Sequence, residues 1–234
     1  MSLNQYYDKL DHSSAEAFRN TITKALAKAS LARKGKALDL GCGNGDFSLR
    51  LAKVIQADEI YGVDVSENIR EVSRSSIKAY KVNLNFEKLP FPHNFFDVVF
   101  AVELIEHLLN PDNMLSEAYR VLSPDGVFLL STPNLASGIN RLLILMGYMP
   151  YFSEPSLRYC AGILKRDKKN SNPSGHLRLY TLKAVKELLQ FYSFKALKFY
   201  GSNAGYKSRA LKIVDVAFSK TPSLASGIIV LAKK

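Results

Sequence analysis

Three ionisable side chains capable of chemistry lie close together in the middle of the chain: Glu103, Glu106 and His107. Their spacing is i, i+3 and i+4, which predicts that all three share one face of a helix. Two carboxylates and an imidazole suit a divalent ion, which can chelate the oxygens of a substrate and lower their pKa. The alternative is a metal-free role in which the same side chains cap and orient a cleft.

A second chemical signal is a glycine turn that follows a short apolar run. Gly41, Gly43 and Gly45 stand at alternate positions between the apolar residues 36–40 and a segment, 47–52, with helical spacing. This order predicts a strand, a tight turn and a helix. A glycine lacks Cβ, so a ligand can lie directly against the main chain. The turn is therefore predicted to bind a ligand.

The acidic residues around the turn indicate what the ligand is. Residues 59–64 read as the next strand and end at Asp64, where one carboxylate can bind both hydroxyls of a ribose. Dinucleotide folds space their glycines as Gly-x-Gly-x-x-Gly for a pyrophosphate, and this chain does not. Asp39 also precedes the turn, and an acid there suits an ammonium better than a phosphate. The pattern predicts a nucleoside ligand without a pyrophosphate.

The glycine turn resembles motif I of the class I S-adenosylmethionine-dependent methyltransferases. The resemblance continues in order through Asp64 and the segments 89–99, 103–108, 117–126 and 131–134. It implies an α/β fold with a doubly wound, seven-stranded, Rossmann-like sheet, and methyl transfer from S-adenosylmethionine. The cofactor contacts that it implies are Asp39, Gly41, Cys42, Gly43, Gly45, Asp64, Val65, Asn83, Leu84 and Val102. Many relatives carry Asp in place of Asn83, whose carbonyl oxygen can still accept a hydrogen bond from the adenine amino group.

The resemblance also implies roles for the Glu-x-x-Glu-His pattern. The sulfonium already activates the methyl group, so a general base is required only for a poorly acidic acceptor, and His107 and His176 are the candidates. The pattern is similar to the metal-binding motif of the ubiquinone-pathway O-methyltransferases and of the small-RNA terminal 2′-O-methyltransferases. In the latter a downstream histidine completes the site, and His176 matches it. This implies magnesium, manganese or zinc at Glu103, Glu106 and His107.

Periodicity predicts the elements that position these residues. A helix over 15–30 leads into the first strand, and in family members such a helix covers the cofactor, here with Tyr6 and Tyr7 before it. Further strands are expected at 79–82, 96–101, 127–131, 194–200 and 228–232, the last two as a hairpin pair. Further helices are expected from near Glu67 with Ser66 as cap, over 111–122, and after a Thr181 cap through 191.

Size and composition favour one domain over residues 1–234. The 26.1 kDa chain is 47% hydrophobic and can bury a sizeable core. Its two cysteines, Cys42 and Cys160, are too few for a disulfide framework, so a reducing, cytoplasmic compartment is expected. No signal peptide is evident at residues 1–11, and no stretch reaches the roughly 20 apolar residues of a membrane span.

The net charge of +11 is concentrated in the second half of the chain. Between Arg158 and Lys212 the sequence has thirteen Lys or Arg residues and only two acidic residues. This imbalance indicates an anionic partner such as phosphate groups, nucleic acid or an acidic membrane surface. The alternative is that the charge serves solubility alone.

Residues 135–175 interrupt the alternation of strands and helices and are predicted to be an inserted lid that selects the acceptor. An apolar run, 142–152, is followed by a basic one, 165–170. The apolar run is too short to span a bilayer. It either folds over the cleft and lines an acceptor pocket, or lies on a membrane as a peripheral contact. Both alternatives imply an apolar acceptor.

Three functions are compatible with the sequence. The leading hypothesis is O-methylation of a small lipophilic or anionic acceptor, such as a quinone precursor, by a monomer or homodimer. The second is an RNA methyltransferase, which the basic second half favours although no added RNA-binding motif is present. The third is a non-catalytic partner subunit that keeps the cofactor fold, against which the intact glycine turn and Asp64 count.

Overall fold

The computed structural model describes residues 13–28, 35–66, 69–72, 76–156, 158–164, 173–206 and 208–234. Tyr6 and Tyr7, the basic run 165–170, and the expected helix start at Glu67 lie outside these residues.

Strands and helices alternate along most of the described chain. The strands are β1 Lys36–Leu40, β2 Glu59–Asp64, β3 Ile77–Lys81, β4 Phe96–Val102, β5 Leu122–Pro133, β6 Lys195–Ser202 and β7 Gly227–Lys233. The helices are α1 Ser13–Lys28, α2 Asp46–Ile55, α3 Ile69–Val72, α4 Pro111–Val121, α5 Gly138–Leu145, α6 Leu182–Phe191 and α7 Arg209–Phe218. A 3-10 turn covers Ile105–His107. Of the predicted caps, Thr181 accepts the Ala184 N–H at 3.1 Å and begins α6.

The strands form one sheet in the order β3-β2-β1-β4-β5-β7-β6. Strands β1 to β5 are parallel, whereas β7 runs antiparallel to both β5 and β6. The predicted seven-stranded, Rossmann-like α/β fold is confirmed. The last two strands do pair, but they are not a simple hairpin because α7, which the sequence analysis missed, lies between them.

The sheet is covered on both faces. Leu38 and Leu40 of β1 belong to a core on one face that includes residues of α4 and α6. On the opposite face, Ala37 packs in a core with residues of α1 and α2. Apolar side chains on both faces explain why β4 reads as a nearly continuous apolar run.

The topology brings the candidate residues to one edge of the sheet. Because β1, β2 and β4 are parallel, the glycine turn, Asp64 and Glu103 all follow the carboxyl ends of neighbouring strands. In β5, Ser131 pairs with Val102 and so lies at the same edge. This is the edge at which open α/β sheets bind ligands.

The segment 135–175 contains α5, which begins after the Ser137 cap. Ile139, Leu143 and Tyr151 form a small separate core beneath it. Within the described ranges, no helix is both long and apolar enough to cross a membrane.

Candidate active site

The glycine turn leaves open space directly above Gly43. All three glycines have positive φ, 74° at Gly41, 53° at Gly43 and 83° at Gly45, which glycine adopts without strain. A Cβ added to Gly41 would lie 2.8 Å from Leu104, but one added to Gly43 would meet no atom within 4 Å. The turn is therefore packed at its base and open at Gly43, where a ligand can approach the main chain.

Asp64 is bound to this turn through its carboxylate. Its Oδ2 accepts the Gly43 N–H at 2.9 Å and its Oδ1 accepts the Ser66 N–H at 2.8 Å. Each oxygen keeps a further lone pair, and the side chain is only half-buried. Val65 follows with 43% of its surface exposed. The carboxylate is thus held in place and still able to accept hydroxyl groups.

Asp39 lies buried below the turn and accepts the Ser48 O–H at 2.6 Å. Burial raises its pKa to about 7, the Ser48 bond opposes this, and the charge of Asp64 adds to it. A cation above the turn would favour the ionised form. Ser48, in the helix after the turn, was not identified from the sequence because a serine on a helix carries no motif.

Three other predicted cofactor residues offer mainly backbone or packing contacts. The Cys42 sulfur lies against Gly62, where an added Cβ would be 2.7 Å away, and burial raises the pKa of this thiol. Leu84 is buried in the core. The Oδ1 of Asn83 accepts the backbone N–H and the side-chain amide of Asn85, both at 3.1 Å, so this oxygen already has partners within the loop.

Glu103 does not begin a helix, which corrects the prediction of a shared helical face with Glu106 and His107. It follows β4 with φ 50°, and only the short 3-10 turn comes after it. The reason is tertiary: the Glu103 N–H is held by the backbone oxygen and the hydroxyl of Ser131 in β5, each at 3.2 Å. Half-buried Val102 completes this end of the strand.

The Glu103 side chain stays near Ser131, whose hydroxyl donates to Oε1 at 3.3 Å. Burial raises the pKa of Glu103 to about 8, against the lowering effect of this hydrogen bond. A carboxylate with such a pKa is a far stronger base than an exposed one.

Glu106 is fully buried. Its Oε2 accepts the Thr132 O–H at 3.0 Å, and its Oε1 has no hydrogen-bond partner among the described residues. Burial, followed by the charge of Glu103, raises its pKa. A buried carboxylate oxygen without a hydrogen bond costs free energy of folding. Such an oxygen is suited to bind a cation or another hydrogen-bond donor.

His107 and His176 meet although they are far apart in the sequence; their ring centroids are 4.9 Å apart. The Nδ1 of His107 is 3.1 Å from the Gly175 oxygen, and that of His176 is 3.1 Å from the Phe152 oxygen. A carbonyl only accepts, so each Nδ1 carries the proton and each Nε2 the lone pair. Burial lowers the pKa of His107 to about 4, with a contribution from His176, and burial also lowers that of His176. Both imidazoles are neutral at pH 7.

The loop that carries His176 is held by Glu154, which the sequence analysis did not identify. The Glu154 carboxylate accepts the backbone N–H groups of Ser174, Gly175 at 2.7 Å and His176 at 3.1 Å. Because Gly175 in turn contacts His107, this one side chain supports both histidines. A lone acid in an irregular segment gives no sequence signal for such a role.

The three-residue group that could hold a metal ion, among the residues the structure describes, consists of Glu106, His107 and His176. One ligand atom from each lies within 4.8 Å of the others. Glu103 is outside this group, whereas His176 joins Glu106 and His107 in it; that a metal binds here stays a prediction. One carboxylate and two neutral imidazoles whose Nδ1–H groups donate to carbonyls form a donor set that suits a divalent transition metal.

Comparisons with known proteins find similarity to methyltransferases. Residues 38–130 match a family model described as a methyltransferase domain. The 27-O-demethylrifamycin SV methyltransferase of Amycolatopsis mediterranei is 32% identical over 52% of this chain and 47% of its own length. The ubiquinone biosynthesis O-methyltransferase of Coxiella burnetii is 31% identical over 49% of this chain and 51% of its own. The matched segments thus span about half the length of these relatives.

The similarity in fold extends over the whole chain. A crystal structure of an S-adenosylmethionine-dependent methyltransferase from Aquifex aeolicus superposes with a TM-score of 0.60 at 17% identity, covering 100% of this chain and 99% of that one.

Proposed function

We propose that this chain, which carries a domain of the S-adenosylmethionine-dependent methyltransferase family over residues 38–130, methylates a hydroxyl oxygen of a small lipophilic or anionic acceptor. The observation that carries the proposal is the open glycine turn beside the fixed carboxylate of Asp64, with Glu103 at the same edge of the sheet. S-adenosylmethionine supplies a methyl group that its sulfonium already activates, so the protein chiefly binds, orients and removes a proton.

Cofactor binding is assigned to the two acids of the turn. Asp64 is proposed to accept the ribose hydroxyls, because its carboxylate is oriented by the Gly43 and Ser66 amides and keeps acceptor capacity. Asp39 is proposed to provide negative charge beneath a cationic ligand. Gly43 is proposed to let the ligand lie against the backbone, since no atom occupies the space above it.

Proton removal from the acceptor is assigned to Glu103. The alternative predicted from sequence was His107 or His176. His107 has a pKa of about 4, so its neutral imidazole is a weak base, whereas the pKa of Glu103 is about 8. Glu103 also lies directly at the end of β4. The histidines are proposed to orient the acceptor from the side of segment 135–175, whose Glu154 holds the loop of His176.

A divalent cation is a second element of the proposal, at Glu106, His107 and His176. The unpartnered Oε1 of Glu106 and the two Nδ1–H-bonded imidazoles support it. A bound cation there would lower the pKa of an acceptor oxygen. Isothermal titration with Mn²⁺ or Zn²⁺ tests this without any turnover: binding should be lost in His176→Ala and retained in His93→Ala, which changes a histidine outside the group.

The proposed reaction is tested with labelled S-adenosylmethionine and a panel of phenols, catechols, hydroxy acids and RNA. We expect label on a small hydroxyl compound, with oxygen attachment established by mass spectrometry. Glu103→Gln should lower kcat by about a hundredfold to ten-thousandfold while cofactor affinity is kept. Label on nitrogen, carbon or RNA would contradict the acceptor assignment. An active Glu103→Gln variant together with an inactive His107→Asn variant would show that a histidine, and not Glu103, removes the proton.

A further inference from the structure

Helices α5 and α7 each bury a polar side chain beside their apolar core residues. The buried face of α5 carries Asn140, which donates to the Asn134 oxygen at 3.0 Å and accepts the Tyr151 N–H at 2.8 Å. The buried face of α7 carries Asp215, which accepts the Ser226 O–H at 2.6 Å and the Ala204 N–H at 2.7 Å. Both helices thus place a polar anchor inside, next to the apolar residues that amphipathic helices normally bury.

Their outer faces carry several exposed apolar residues besides Arg141, Arg209 and Lys212. Leu145 is 83% exposed, the highest value among the exposed large apolar side chains of the described residues, and Ile213 is 64% exposed. The outer apolar residues of the two helices, here called the α5–α7 platform, are Leu142, Ile144, Leu145, Met146, Ile213, Val214 and Val216. An exposed group of this size normally marks a binding surface.

The two helices are direct neighbours and share the small core beneath them. A Cβ added to Gly138, the first residue of α5, would overlap the ring of Phe218 at the end of α7. The Gly138 N–H also donates to the Leu224 oxygen at 2.8 Å, just beyond α7. Leu143 and Leu211 pack in the small core between them.

The exposed charged side chains around the platform are all positive. In the described parts of 135–164 and 203–224, the exposed charged residues are Arg141, Arg158, Arg209, Lys212 and Lys220. The two acids in these ranges face inward: Asp215 is buried, and Glu154 binds backbone amides. The platform is therefore an apolar surface with a rim of cations and no exposed acid in these ranges.

We propose that the α5–α7 platform binds the surface of an anionic phospholipid bilayer. Apolar side chains that enter the headgroup boundary, surrounded by cations that meet anionic lipids, are the requirements for interfacial binding. A second copy of this chain is the less favourable occupant, since a symmetric dimer through this surface would bring two cationic rims together. The inference does not depend on the proposed acceptor, because it is tested without turnover.

The test is flotation of the full chain with vesicles of mixed phosphatidylcholine and phosphatidylglycerol, compared with pure phosphatidylcholine. We expect binding to the anionic vesicles that weakens with salt. Leu145→Asp and Ile213→Asp should each lower the partition coefficient about tenfold or more. The matched control is Phe191→Asp, which changes an apolar residue that is 78% exposed on α6, outside the platform.

Charge neutralisation gives a second measurement that does not disturb the apolar contact. Lys212→Gln and Arg209→Gln should each weaken binding about fivefold, and Lys186→Gln on α6 should not. Unchanged affinity for S-adenosylhomocysteine in every variant confirms the fold. Equal losses in the platform and control variants would overturn the proposal. So would the absence of vesicle binding, or a dimer of the chain that Leu145→Asp dissociates.

Discussion

The affinity of the protein for S-adenosylmethionine is expected to rise with pH because of Asp39. Burial raises the pKa of this side chain to about 7, so in the free protein it is partly protonated at neutral pH. A cationic ligand in the glycine turn favours the ionised carboxylate. Binding below neutral pH must therefore release the Asp39 proton, which weakens the apparent affinity.

The size of the effect follows from this pKa. If the ligand binds only the ionised form, the apparent dissociation constant is multiplied by one plus the ratio of protonated to ionised Asp39. With a pKa of about 7, this factor is about 11 near pH 6 and about 1.1 near pH 8. The affinity should thus increase about tenfold across this range, or about 1.4 kcal/mol.

Calorimetric titration in two buffers of different ionisation enthalpy measures both the affinity and the proton release. Asp39→Asn is the matched control: it keeps an acceptor for the Ser48 hydroxyl but has no charge to titrate, while the amino group of the ligand titrates alike in both proteins. We expect the variant to lose the tenfold component. A variant with the same pH slope and the same proton release as the wild type would refute the reasoning.

The same side chain gives a stability signal of known sign. Its pKa is raised from 3.8 in the unfolded chain to about 7, so the native state binds more protons between these values. The stabilisation is fully present below the lower pKa and is lost as the pH rises through the upper one. Without ligand, Asp39→Asn should therefore raise the melting temperature above neutral pH relative to the wild type, as measured by calorimetry at two pH values.

Three further predictions follow from individual contacts. Asp64→Ala should weaken S-adenosylhomocysteine binding by roughly 1.5–3 kcal/mol in calorimetry, and an unchanged affinity would contradict the cofactor assignment. Glu154→Ala should destabilise the loop that Glu154 holds, and it should lower kcat by a larger factor than it lowers cofactor affinity. Wild-type activity together with an unchanged melting temperature would show that the loop needs no such support. Lys234→Met should lower the free energy of unfolding by about 1–2 kcal/mol in urea titrations, because the ammonium caps α4 through the oxygens of Tyr119 at 2.7 Å and Leu122 at 2.8 Å. Cofactor affinity should remain unchanged in that variant.

The part of the site that is proposed to bind the cofactor was predictable because its determinants are local. Gly41, Gly43 and Gly45 are required by backbone conformation, and the apolar strand before them is required by burial on both faces of the sheet. Asp64 ends the next strand, so parallel pairing alone brings it to the turn. The backbone conformations that glycine allows and the spacing of apolar residues each depend on only a few neighbouring residues. Both can therefore be read directly from the sequence.

The part that is proposed to bind the acceptor was decided by contacts between distant segments. Ser131 in β5 holds Glu103 at the sheet edge and prevents the helix that local spacing predicted. Glu154 and the loop of His176 bring that histidine to His107. None of these contacts produces a periodic pattern in the sequence, because each depends on where two distant segments of the backbone come together.

The α5–α7 platform shows the same division. The apolar run 142–152 was evident from the sequence, whereas α7 was not predicted. Which residues face inward was not evident either, since Asn140 and Asp215 find hydrogen-bond partners only in the folded chain. The sequence therefore determined that the apolar residues 142–152 had to be placed somewhere, while tertiary packing and hydrogen bonding decided that Leu145 would lie on the outside.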